Sequence, residues 1–223
     1  MIKALLFDLD ETLLDRTASI QVFLAHQYSR FANVLAHVPL AQYQARFLLY
    51  DEHGYVAKEI VYRRLLNEFG LALDPMLLVE DFYANGWQPA LLFPGVTELL
   101  EQTRQDGYKL AIVTSGSVRT QQPKLVHGGL NGLFDQALIS EAEGVRKPDA
   151  EIFLRAADRL EVQPHECVMV GDNPRADVWG ALQVGMKAIW RQGHLPWPSA
   201  LAQRPQRTVT SVGELLGFDW QQL

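Results

Sequence analysis

Near the start of the chain an apolar run ends on acids. In LLFDLDETLLD, Asp8, Asp10 and Glu11 fall within four positions. Like charges at that spacing repel, and taking them out of water is costly. The cluster is therefore either a solvated turn or a place where something positive sits. Three further stretches carry side chains that could do chemistry. Thr114-Ser115-Gly116 offers hydroxyl and backbone N–H groups of the kind that cap a helix or hold an anion. Lys147, before Pro148, is by default a solvated cation. Asp172 and Asp177, in GDNPRAD, suit a turn and a first-turn helix acid, or a hard oxygen-ligated cation. Each stretch alone has an ordinary structural reading. The four together, in this order, are much more specific.

The elements around them explain why they should meet. Residues 2–9 read as a short, almost continuously apolar strand. YKLAIVT, QALIS, CVMVG and MKAIW are further strands, and RTVTS is a last one. Helical stretches separate them, including PGVTELLEQTRQDG, residues 118–127, PDAEIFLRAADRL and PRADVWGALQVG. This alternation implies α/β architecture: a Rossmann-like parallel sheet between two helical layers. Three of the four stretches begin at the C-terminal end of a predicted strand, the edge where open α/β sheets bind ligands.

Residues 17–89 interrupt the alternation with helices only: 17–36, a stretch from Pro39, one closing on Gly70, and one opened by Asp74 and Pro75. A connection between a strand and its helix is normally about 2–6 residues. The insert therefore reads as an all-helical domain of its own. The expected organisation is a core of 1–16 and 90–223 with a cap of 17–89. Phe47, Tyr50, Tyr55 and Trp87 read as cap core, and Lys58, Arg63 and Arg64 as a solvated face.

Composition narrows the function classes. The chain has 223 residues, 48% hydrophobic and 21% charged, enough for a core that needs no staples. The formal charge of −6, with no basic run, argues against a nucleic-acid polymer as partner. One cysteine, Cys167, excludes an internal disulfide framework, fits a reducing compartment, and reads as a buried, inert thiol. No stretch resembles a signal peptide or approaches a bilayer span. The expectation is a soluble cytoplasmic protein without a membrane partner, of open oligomeric state.

With these residues assembled, the chain resembles the haloacid dehalogenase superfamily of Mg²⁺-dependent phosphatases, in the subgroup with a helical cap inserted after the first motif. The resemblance covers essentially the whole length. It implies that Asp8 is the nucleophile forming an aspartyl-phosphate, and that Asp10 protonates the leaving oxygen and then deprotonates water. It implies that Thr114, Ser115 and Lys147 hold the phosphoryl group. The metal would be bound by Asp8, Asp172 and the backbone carbonyl of Asp10, with Asp177 behind them or as an alternate ligand. Ser115 stands where many relatives carry Asn, and Glu11 where many carry Gly. The implied activity is hydrolysis of a small phosphorylated metabolite of nucleotide, sugar phosphate or phosphoglycolate type. A mutase shares these motifs. A haloacid dehalogenase needs neither Mg²⁺ nor Asp10, which counts against it. A non-catalytic binding protein is the remaining alternative.

Overall fold

The computed structural model describes residues 1–223. The chain divides into two compact units, one of residues 1–15 and 92–223 and one of residues 16–91.

The first unit is built on six strands: β1 (Ala4–Phe7), β2 (Lys109–Thr114), β3 (Gln136–Ile139), β4 (Cys167–Gly171), β5 (Lys187–Arg191) and β6 (Arg207–Val209). All pair in parallel, in the order β3-β2-β1-β4-β5-β6. The chain fills one half of the sheet and then returns to the other side of β1. The topological switch point, where such sheets bind ligands, therefore falls between β1 and β4. All four residues of β1 and all five of β4 are buried, which explains why both read as unbroken apolar runs.

The helices of the second unit are α1 (Arg16–Arg30), α2 (Ala32–Leu35), α3 (Leu40–Asp51), α4 (Lys58–Glu68) and α5 (Pro75–Asn85). Those of the first unit are α6 (Val96–Gln105), α7 (Val118–His127), α8 (Ser140–Glu143), α9 (Ala150–Arg159) and α10 (Gly180–Gln183), the last preceded by a wide π-type turn over Pro174–Trp179. Helix α9 buries Ile152, Phe153, Ala156 and Ala157 against Ala4, Leu6 and Met169 of the central strands. Truncating a buried phenylalanine such as Phe153 to alanine typically costs about 3–5 kcal/mol.

The second unit packs around aromatic rings. Phe23, Tyr43, Phe47, Tyr62 and Phe82 are all buried. Buried Gln27 accepts from the hydroxyls of Tyr43 and Tyr62 and donates to Leu78 O, so one amide satisfies both tyrosine hydroxyls inside this core. Asp74 caps α5 by accepting from the Met76 N–H, with Pro75 in the first helical position as expected.

Three expectations need correction here. The helix expected over 17–36 breaks at Phe31, whose φ of −107° and ψ of 27° are not helical. Tyr55 is 76% exposed and Tyr50 half-buried, so only Phe47 and Trp87 of that aromatic set are core. The chain leaves α3 through Glu52, His53 and Gly54 in left-handed conformations and turns outward, carrying Tyr55 with it. Lys58 is buried while Arg63 and Arg64 are exposed. Its ammonium lies 2.6 Å from Asp51 Oδ1, and Arg16 Nη2 lies 2.6 Å from Asp51 Oδ2.

Candidate active site

Asp8 is the first residue past β1. Its N–H donates to Val170 O of β4 at 2.9 Å, so the sheet ladder itself fixes the backbone of this acid. The loop that follows is tight: the Leu13 and Leu14 N–H groups both donate to Leu9 O, and Glu11 has φ +58°. That left-handed conformation is the one glycine adopts most easily, which accounts for glycine being common at this position in the family Asp8 suggested. Thr12 is buried, and its hydroxyl donates to Asp8 Oδ2 at 3.2 Å.

Asp172 follows the end of β4, and Asp177 lies in the π-type turn beyond it. Asn173 opens that turn by accepting from the Arg175 and Ala176 N–H groups through its side chain. Gly171 is required by close approach: a Cβ there would lie 2.4 Å from Asp177 Cβ. The wide turn swings the Asp177 carboxyl back against the strand end. There Oδ2 accepts from the Asn173 N–H at 2.9 Å and Oδ1 lies 2.7 Å from Lys147 Nζ. Lys147, in the loop between α8 and α9, also donates to Asp8 Oδ1 at 2.6 Å.

The result is a group of three buried carboxylates, Asp8, Asp172 and Asp177, with oxygens within 4.8 Å of one another. One ammonium, Lys147, faces them. Burial drives the Asp8 carboxyl up to about 7, against the pull of Lys147 and with a push from Asp177. Asp172 rises to about 9, through burial and then repulsion from Asp177 and Asp8. Burial alone would lower Lys147, but Asp177 and Asp8 outweigh it and hold its pKa above the usual lysine value. Three acids against one base leave the group short of positive charge. The Asp172 carboxyl, 93% buried, has no protein donor to make up the difference. This donor set suits a hard divalent cation that takes oxygen ligands.

Asp10 stands outside that group. Its carboxylate is held by Lys124 of α7, with Nζ at 2.8 Å from Oδ1 and 2.6 Å from Oδ2, and by Gln121 Nε2 at 2.9 Å. Gln121 Nε2 also donates to the hydroxyl of buried Thr114 at the end of β2, at 2.6 Å. Ser115, next in the chain, is exposed. Gln121 and Lys124 are site residues that sequence reasoning did not single out, and Thr12, at the end of the first motif, was given no role by it. A signal was present for two of them: Gln121 and Lys124 are three residues apart, on one face of the helix that follows Thr114-Ser115-Gly116.

The parallel α/β sheet thus gathers buried acids and a lysine at its switch point, with Thr114 at the end of the neighbouring strand, a donor set that could hold a cation and an anionic group together. The family model of haloacid dehalogenase-like hydrolases matches residues 2–185, and the chain belongs to that family. Among curated relatives, the glyceraldehyde 3-phosphate phosphatase of Pyrococcus abyssi is 32% identical, over 85% of this chain and 81% of its own length. The phosphoserine phosphatase of Thermus thermophilus is 31% identical, over 84% of this chain and 88% of its own. Among solved structures, the HAD-hydrolase YfnB of Bacillus subtilis, described as bound to magnesium, matches with a TM-score of 0.75 and 26% identity over 97% of both chains. The protein is thus a hydrolase of the phosphatase type. No helix is long and apolar enough to cross a membrane.

Proposed function

We propose that the protein is a cytoplasmic, Mg²⁺-dependent phosphomonoesterase that hydrolyses a small phosphorylated metabolite through an aspartyl-phosphate on Asp8. The observation that carries this reading is the charge shortfall at Asp8, Asp172 and Asp177, three buried carboxylates with one lysine between them. Asp8 and Asp172 would hold the ion through side-chain oxygens and Asp10 through its backbone carbonyl. When bound, Mg²⁺ offsets the repulsion between a phosphate dianion and the attacking carboxylate. Both oxygens of Asp177 are already engaged, by Lys147 and the Asn173 N–H, which favours a place behind the ligands for it.

Each remaining residue then has a task. Asp8 attacks phosphorus in line, and the phosphoryl group moves from the substrate oxygen to its carboxylate. Asp10 gives a proton to the departing oxygen and later takes one from the water that hydrolyses the acyl phosphate. Lys147, fixed between Asp8 and Asp177, and the Thr114 hydroxyl bind the phosphoryl oxygens, with Ser115 completing the loop. Residues 16–91 form the cap, which would select the substrate. Relatives named for glyceraldehyde 3-phosphate, for phosphoserine and as a pyrimidine 5'-nucleotidase support a small phosphorylated substrate over a polymer.

A panel of phosphorylated metabolites assayed with Mg²⁺ and with EDTA tests the reading. Phosphate release that Mg²⁺ supports and EDTA stops is expected. Release from none of the panel would refute it. Product analysis separates the runner-up, because isomer without free phosphate would identify a mutase.

A further inference from the structure

Helix α7 contributes two buried polar side chains for which the reaction just described has no role. Gln121 is 2% and Lys124 3% exposed. A lysine is almost never this buried unless paired. Lys124 donates to both oxygens of Asp10 and, at 2.6 Å, to Gln121 Oε1. The ammonium has only donors, so the amide of Gln121 must turn its oxygen towards Lys124. Its NH₂ group then faces Asp10 Oδ2 and Thr114 Oγ1.

That orientation has a consequence for Thr114. Its oxygen accepts from Gln121, so its single proton is left for a third party. A hydroxyl set in this way is a donor poised for an anion. Gly116 lets the arrangement fit: a Cβ there would lie 2.9 Å from both Cγ and Cδ of Gln121. One chain of contacts thus runs from Lys124 through Gln121 to Asp10 and Thr114, one residue assigned to proton transfer and one to phosphate binding.

We propose that Lys124 and Gln121 are positioning residues of the hydrolytic reaction: Lys124 fixes the carboxylate of Asp10, and Gln121 presets the Thr114 hydroxyl as a donor to the phosphoryl group. The inference rests on the phosphatase reading above. Neither side chain touches the reacting atoms. Their loss therefore acts through Asp10 on the step that needs a proton, and through Thr114 on the hold on phosphate.

Two phosphate esters separate this from a purely structural role. An alkyl phosphate such as glycerol phosphate expels an alkoxide and needs its proton. p-Nitrophenyl phosphate expels a stabilised phenolate and does not. In Lys124→Met, kcat on the alkyl ester should fall about a hundredfold, the scale of lost general acid–base assistance, with KM nearly unchanged. The pre-steady-state burst of p-nitrophenolate should keep close to its wild-type rate. Lys124→Arg should recover part of the loss. Gln121→Leu, similar in volume, should raise KM for both esters about tenfold, the weight of one charge-assisted hydrogen bond. Equal losses on burst and alkyl turnover would overturn the inference. So would alkyl turnover at wild-type rate in Lys124→Met. Thermal melts and retained stabilisation by Mg²⁺ show which variants are folded, and Lys124→Arg decides if Lys124→Met is not. A wild-type enzyme that cleaves neither these esters nor any of the panel refutes the phosphatase reading itself, a result distinct from equal losses.

Discussion

Two buried charge clusters lie in this molecule, one in each unit, and their balances are opposite. In residues 16–91 the fully buried carboxylate of Asp51 sits between Arg16 and Lys58, each 2.6 Å away. Arg16 is the first residue of α1, Asp51 the last of α3 and Lys58 the first of α4, so the cluster ties three helix ends together. Burial lowers the Lys58 pKa and Asp51 opposes that fall, while its ammonium also lies 5.2 Å from the Phe82 ring centre. Every charge there has a partner within the fold. In the sheet unit, by contrast, three carboxylates share one ammonium, and Asp172 has no donor. Burial of charge alone does not mark a functional site. A deficit of positive charge that the protein's own cations leave open does.

Substitutions can break this contrast. The largest effect is expected from Asp8→Asn, which removes the nucleophile while keeping the shape. Turnover should fall by at least about 10⁴-fold in a phosphate-release assay, the scale seen when a catalytic unit loses a member. Next comes Asp51→Asn, which strands two cations in a dry site and should cost about 3–5 kcal/mol of stability by denaturant titration. A loss comparable to that of a surface substitution would mean that the two clusters do not differ in kind.

Smaller shifts sharpen the contrast. Asp172→Asn should abolish the rise in Tm that Mg²⁺ gives the wild type, by removing a metal ligand. The metal-free wild type should itself depend on pH. The folded-state pKa values of Asp8 and Asp172 are raised to about 7 and about 9, so between roughly pH 4 and pH 9 the folded state holds more protons than the unfolded one. Stability is then greatest below the unfolded carboxyl pKa and falls as pH rises through those values. Melting curves without metal should show Tm dropping from pH 5 to pH 9, and the increment from Mg²⁺ growing over the same interval. In Asp172→Asn the slope should be shallower. A Tm that rises over that interval would refute the assignment of these carboxyls as uncompensated.

The sequence showed these features unevenly, for physical reasons. Strands buried on both faces, such as CVMVG, read clearly because nothing polar interrupts them. The motif acids were visible because carboxylates at strand ends have few bland explanations in combination. Gln121 and Lys124 were not, since VRTQQPKLVH has the polarity of a solvated helix and only the tertiary fold buries that face. The break at Phe31 was hidden by apolar residues that keep helical spacing on both sides of it. Tyr55 misled because aromatic character says nothing about the left-handed turn that carries it outward. Lys58 misled for a different reason: its partner Asp51 closes the preceding helix, and only the turn between α3 and α4 brings the ammonium back onto that carboxylate.

The central claim is that Asp8 becomes covalently phosphorylated, and chemical trapping tests it most directly. Enzyme turning over a phosphate ester with Mg²⁺ would be quenched in acid, where acyl phosphates persist, and reduced with borohydride, which converts an acyl phosphate to the alcohol. The account predicts that peptide mass spectrometry finds Asp8 as homoserine, in a substrate-dependent manner, with Asp10 and Asp172 unchanged. Recovery of unmodified Asp8 from enzyme shown to be turning over, or the label on another residue, would contradict it.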